Sequence, residues 1–259
     1  MFGKWALLTL LIFNALTLNA ELPWDSAYQQ LLLKKVGEKL PEMSNYPAFE
    51  YPNKDHGKAR ASKSGKILLF GYGSLMSPEI DANKKTIKPE NLITLRPAIT
   101  FGVKRLFNKR GVVSKAFAST TLEPNERCFL NLAPTTNFNC VTNGVTIEID
   151  QDDLTKLIVR EKGYDLVPLF VASWDDAVKK NTGIKIEIAY AFIASNELRD
   201  HLSYTCNDLY PIRWYAAAVD QAAKYHGPLF WEQYQKTTWL ADGTTLISDW
   251  HGTFEPLMD

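Results

Sequence analysis

The residues best placed to do chemistry fall in two short stretches, Lys66 to Met76 (KILLFGYGSLM) and Leu157 to Tyr164 (LIVREKGY). In the first, the apolar run Ile67 to Phe70 gives way to Gly71-Tyr72-Gly73-Ser74 and then to Ser77-Pro78-Glu79. The run reads as a strand buried on both faces, bounded by turn residues at Gly65 and Gly71. Two glycines around an aromatic let the backbone take positive φ, and Gly73 has no side chain to keep a ligand away from the main-chain N–H groups. Ser77, Pro78 and Glu79 have the residue types of an N-cap and first turn, so a helix is expected to begin there. Strand, nest-like turn and helix start together describe an anion or oxyanion site.

In the second stretch the residue of interest is Glu161. It follows Leu154 by seven positions and Leu157 by four, which puts it on the apolar face of a helix expected over 151–162, capped by Asp150 and stopped by Gly163. A carboxylate on that face is unusual, because glutamate is seldom buried alone. It is either half of an ion pair with Arg160, Lys162 or another arginine, or a group held there for function.

Several familiar chemistries do not fit. A phosphate-binding loop ends in Gly-Lys-Ser/Thr, whereas Leu75 follows Ser74, and the dinucleotide fingerprint needs a third glycine where Met76 stands. The esterase nucleophile elbow needs glycine two places either side of the serine, and Ser74 has Tyr72 and Met76 there; a serine hydrolase built on Ser74 without that elbow stays open. His56, His201, His226 and His251 are scattered, with no HExxH and no Cys/His cluster, so neither a metal nor a cofactor is expected. His226, at a helix end, reads as a cap on the helix dipole.

The elements that must position these residues follow from pattern. Leu92 to Phe107, Ala116 to Leu122, Phe129 to Leu132, Val145 to Ile149, Leu166 to Val171 and Ile184 to Ile193 read as strands. Pro211 to His226 reads as an Ala-rich helix ending at Gly227, and Leu229 to Leu240 as a further helical, aromatic segment before a turn at Ala241-Asp242-Gly243. Residues 21–64 are polar, with one short helix around Leu31 to Leu33, and are expected to pack outside the domain formed by 65–259. With 259 residues, 46% of them hydrophobic, the chain can bury one good core. Its 29 basic and 29 acidic residues cancel, so no global field draws in nucleic acid or anionic lipid, and a small-molecule partner is expected.

Phe70 to Met76 resembles the YGSL-type signature of the γ-glutamylcyclotransferase-like family, which includes the ChaC enzymes, and LIVREKGY resembles its second signature, whose glutamate is catalytic. Order and separation agree with that family across roughly Lys66 to Gly243. The resemblance implies an α+β fold, a small mixed β-barrel with surrounding helices. It implies that a γ-glutamyl peptide or amine, glutathione being one such compound, is converted to 5-oxoproline and the free amine. Glu161 would be the general acid/base, its pKa raised by its leucine surroundings toward that of the amine. Tyr72, Gly73, Ser74 and Leu75 would hold the substrate. Tyr215 resembles a pocket tyrosine of the family, although a tyrosine on an Ala-rich helix is more often core packing. The alternative is a non-catalytic protein binding γ-glutamyl or amino-acid-like ligands in the same pocket.

Residues 1–20 carry Lys4, an apolar run from Trp5 to Phe13, and Ala20 just before Glu21, the pattern of a cleaved signal peptide, which implies a periplasmic or secreted protein without stable membrane insertion once processed. In an oxidising compartment Cys128 and Cys140 are near enough in sequence to pair, leaving Cys206 over; three buried thiols are the other reading.

Overall fold

A computed structural model of the chain describes residues 24–51, 58–78, 86–111, 125–194 and 205–250. The leader, Glu79, the strand expected over Ala116 to Leu122, and His56, His201 and His251 lie outside the described residues. Among the described residues no helix is long and apolar enough to cross a membrane.

The first helix, α1 (Ser26–Lys39), starts because the Asp25 side chain accepts from the Tyr28 N–H. Tyr28, Leu32 and Val36, spaced by four, turn one face into the main core, and the Trp24 indole donates to the Ala177 carbonyl at 2.9 Å. The region before residue 65 therefore contributes to the core rather than only lying over it.

The strands then follow as β1 (Ile67–Gly71), β2 (Arg96–Phe101), β3 (Val103–Arg110), β4 (Glu126–Pro134) and β5 (Val141–Ile149), with the short helix α2 (Pro89–Leu92) after β1. Next come α3 (Gln151–Arg160), β6 (Tyr164–Ser173), α4 (Trp174–Val178), β7 (Ile186–Ala194), β8 (Tyr210–Pro211), α5 (Arg213–Tyr225), α6 (Pro228–Thr237) and β9 (Thr238–Leu240). Five strands close a barrel in the order β1-β5-β2-β6-β7, with β1 and β7 parallel and the remaining pairs antiparallel. The fold is thus α+β around a small mixed barrel, as the family resemblance implies.

A second sheet, β8-β4-β3-β9, goes beyond that expectation. The run read as one strand from Leu92 to Phe107 divides at Gly102, whose φ of 73° turns the chain out of the barrel. Its N–H donates to the Cys140 carbonyl and its carbonyl accepts from Thr135. The helical reading of Leu229 to Leu240 likewise fails at its end. The chain leaves α6 at Thr237 because the Thr238 hydroxyl binds the Tyr234 carbonyl and also accepts from Arg105 at 2.8 Å, drawing β9 alongside β3.

Alternation along β1 explains where α3 sits. Ile67 and Leu69 face outward, with Ile147 and Ile149 of β5 beside them, and Leu154 and Leu157 of α3 cover that surface with no exposure of their own. Fully burying two leucines stabilises the docking by about 3–6 kcal/mol. Its N-terminal end is clamped: Asp150 caps the Asp153 N–H, and Asp153 accepts from the Lys88 N–H and from Asn91 Nδ2. Held at its start and along its face, α3 delivers its last residues to the point where β1 ends.

Candidate active site

Beyond β1, Tyr72 and Gly73 lead into a single 3-10 turn, Ser74–Met76. The Met76 N–H reaches the Gly73 carbonyl at 2.9 Å, while the N–H groups of Ser74 and Leu75 open the turn and so have no partner within it. The expectation of positive φ here is corrected: neither Gly71 nor Gly73 is in that region, and Gly73 has φ −135°. These glycines are needed for room. A Cβ on Gly71 would lie 2.7 Å from Leu75 Cβ, and one on Gly73 would lie 2.8 Å from the Tyr215 hydroxyl. Of the helix expected here only Ser77 and Pro78 are described, Pro78 in helical conformation, and the rest lies outside the described residues.

Glu161 stands just beyond α3 as its C-cap, not inside the helix as its spacing suggests, because the helix ends at Arg160 and the Glu161 N–H closes on the Leu157 carbonyl at 2.7 Å. Gly163, with φ 80°, then turns the chain into β6. The carboxylate is about one-fifth exposed, and its Oε1 meets Arg160 Nε at 3.0 Å. The ion-pair reading is therefore correct about its partner. The same guanidinium reaches further: Arg160 Nη2 donates to Ser74 Oγ at 2.8 Å, linking the carboxylate to the turn through one rigid plane.

The six residues singled out in the sequence, Tyr72, Gly73, Ser74, Leu75, Glu161 and Tyr215, all line one open cavity of about 360 Å³, a volume that includes the solvent at its mouth. Phe70, Gly71, Leu130, Tyr164 and Phe192 complete the lining and were not assigned to the site from the sequence. Tyr164 lay within the second stretch, four residues after Arg160, and could have been found there. Leu130 and Phe192 sit in alternating strands whose pattern marks burial alone.

Three phenols surround the carboxylate, Tyr72 buried and Tyr164 and Tyr215 half-buried. Burial pushes the Tyr72, Tyr164 and Tyr215 hydroxyls to higher pKa, and the negative charge of Glu161 adds to the shift at each. All three stay protonated at neutral pH. Tyr72 donates to the Phe192 carbonyl and Tyr164 to the Leu130 carbonyl at 2.9 Å, so these two brace the walls. Tyr72 thus meets the cavity with its backbone and ring, its hydroxyl being committed to β7. Tyr215 is aimed by the second sheet. Its helix starts where Ile212 N–H meets the Cys128 carbonyl and where Arg213 Nε grips Glu126 at 2.6 Å, and its ring packs edge-on to Phe129 with centroids 4.8 Å apart. The hydroxyl ends beside the backbone of Ser74 and Leu130.

Two side chains hold the turn from behind. Arg105 is wholly buried and spreads its guanidinium over neutral acceptors, with Asn143 O and Oδ1 each at 2.7 Å and the Tyr72 carbonyl at 3.5 Å, above the ring of Tyr234. His226 Nε2 meets the Met76 carbonyl at 2.7 Å, which corrects its reading as a dipole cap. A carbonyl can only accept, so this nitrogen carries the proton.

Burial lowers the His226 pKa below the ordinary histidine value of about 6.5, opposed in part by the Met76 carbonyl. Because the folded pKa lies below the unfolded one, the unfolded chain binds the extra proton first, and stability is lost as pH falls from about 6.5 toward the folded value. The His226→Gln variant keeps a donor for Met76 but does not titrate. Its Tm is expected to fall less steeply than that of the parent between about pH 6.5 and 5, and parallel Tm–pH curves would disprove this tether.

No family model matches the chain, and no curated protein does either. Solved structures do resemble it. A gamma-glutamyl cyclotransferase matches with 16% identity over 65% of this chain and 86% of its own, at a TM-score of 0.44. A gamma-glutamyl cyclotransferase specific to glutathione from yeast matches with 16% identity over 67% of this chain and 97% of its own, at 0.44. An uncharacterised protein from Homo sapiens matches with 14% identity over 66% and 86%, at 0.43.

Proposed function

We propose that this cavity takes a γ-glutamyl amide and cyclises it, the substrate's own α-amino group attacking its γ-carbonyl to give 5-oxoproline and the free amine. The observation that carries the reading is the meeting of Glu161 with the Tyr72–Leu75 turn in one cavity, although 86 residues separate Ser74 from Arg160. Both reacting groups belong to one molecule, so the protein need only fold the glutamyl chain into a near-attack ring, move a proton and steady an oxyanion. Glu161 accepts the amine proton as the C–N bond of the lactam forms. The turn would steady the oxygen that gains charge through its N–H groups, a contribution typically of about 3 kcal/mol per donor. As the tetrahedral centre collapses, Glu161 returns the proton to the departing amine.

A second reading, a binding protein for γ-glutamyl or amino-acid-like ligands, is favoured by the 3.0 Å contact between Arg160 and Glu161, since a paired carboxylate is the weaker base. Under the catalytic reading the α-carboxylate of the substrate competes for Arg160 and loosens its hold on Glu161. The leader at 1–20 would make either protein an exported one. Incubating the protein with a panel of γ-glutamyl peptides and amines and measuring 5-oxoproline separates the two readings. The catalytic reading expects turnover of at least one compound; saturable binding without 5-oxoproline would leave the binding reading.

A further inference from the structure

We propose that Cys128 and Cys206 form a disulfide that fastens β4 to the segment leading into α5, the helix bearing Tyr215. The expected partner of Cys128 was Cys140, but the chain from Pro134 to Cys140 carries β5 away into the barrel, whereas β4 belongs to the other sheet. The Cys128 sulfur instead touches that of Cys206 at 2.9 Å, across 78 residues of sequence. Both sulfurs are buried, with exposures of 0% and 5%.

The surroundings hold the two together independently of that contact. Cys206 N–H donates to the Asn108 carbonyl at 2.9 Å, and Thr205 bridges to Lys109 on β3. Cys128 pairs with Arg110 on β3 and with Pro211 on β8. The two cysteines therefore occupy neighbouring positions on one wall, and that wall continues into the cavity: the buried Lys109 amine, pushed down to about 8 by burial, feels Glu161 on one side and both sulfurs on the other.

The chemistry is thiol–disulfide exchange with a small organic disulfide, RSSR. Cys206 carries the more acidic thiol, held low by the hydrogen bond from Cys128. As the thiolate it attacks RSSR, forming a mixed disulfide and expelling one thiolate. Cys128 then attacks the Cys206 sulfur and expels the second. Two protein thiols and RSSR become one protein disulfide and two RSH, and nothing else is consumed. The bond forms independently of the activity proposed for the cavity, so neither claim stands or falls with the other.

The full chain, incubated with an excess of a small organic disulfide and then denatured, should drop from three titratable thiols to one. Intact mass should fall by about 2 Da, as a disulfide requires. Non-reducing peptide mapping should join Cys128 to Cys206, and Cys140→Ser should leave that link unchanged. The oxidised protein should melt higher than the reduced one by about 5–10 °C, as closure of a long loop predicts. A thiol count that stays at three, a link that includes Cys140, or a stable adduct with the small thiol at Cys128 or Cys206 would overturn the assignment.

Discussion

Under the proposed cyclisation, Glu161→Gln is expected to lower 5-oxoproline formation by about a hundredfold to ten-thousandfold, the span usual for losing general-base catalysis, on any substrate the parent turns over. The amide keeps the volume of the side chain and an oxygen that accepts from Arg160 Nε, but it cannot take the amine proton. Stability should change by no more than about 1 kcal/mol, because the amide oxygen still accepts from Arg160 Nε and Arg160 keeps its bond to Ser74. KM should hold within a few-fold, since the proposed reading assigns binding to the turn and proton transfer to the carboxylate. A purely structural Glu161 would give the reverse pattern, with stability reduced and turnover retained. Near-parental 5-oxoproline formation by this variant would refute the assignment.

Gly144→Ala is expected to be the most damaging small substitution in the barrel. On β5, Gly144 faces the end of β1 so closely that an added Cβ would lie 2.4 Å from the Gly71 carbonyl oxygen and 2.5 Å from Phe70 Cζ. Two of its constraints are a backbone atom and a buried ring, so β1 itself must shift. Overpacking of this kind costs about 3 kcal/mol, or roughly 6–12 °C in Tm for a protein of this size. Because Gly71 opens the turn at the cavity, ligand affinity should fall along with stability. Gly37→Ala provides the contrast, as that position is exposed on α1 with nothing within 4 Å, and the change should raise stability by about 0.5–1 kcal/mol. Equal melting temperatures for the two variants would show that the close approach at Gly144 is not a constraint.

Local chemistry located the segments of the candidate site, and the family resemblance gave them their functional reading. An apolar run interrupted by glycines, and a capped helix with leucines at helical spacing, are short-range signals, and they lead to β1, the turn and α3 without knowledge of the rest. The glycine argument came out differently in kind: room, not positive φ, is what Gly71 and Gly73 supply, since the atoms they avoid belong to Leu75 and to the distant Tyr215. Likewise the leucine spacing led to Glu161 but misplaced it on the helix, because a terminus depends on the turn that follows as much as on the apolar stripe.

What the sequence by itself determined is the set of residue types at the cavity and the strands and helices that carry most of them. Period and capping are properties of consecutive residues, and they survive in any fold the chain adopts. Only the tertiary structure decided the pairings: Arg160 bridging Glu161 to Ser74, Tyr72 and Tyr164 bracing opposite walls, Cys128 beside Cys206 instead of Cys140, and Arg105 beneath the turn. Such contacts depend on strand order and register, and on which sheet the chain enters at Gly102. The alternation of apolar and polar residues is the same for a strand in the barrel and for one in the second sheet, so it says which face is buried but not which distant side chain that face will meet.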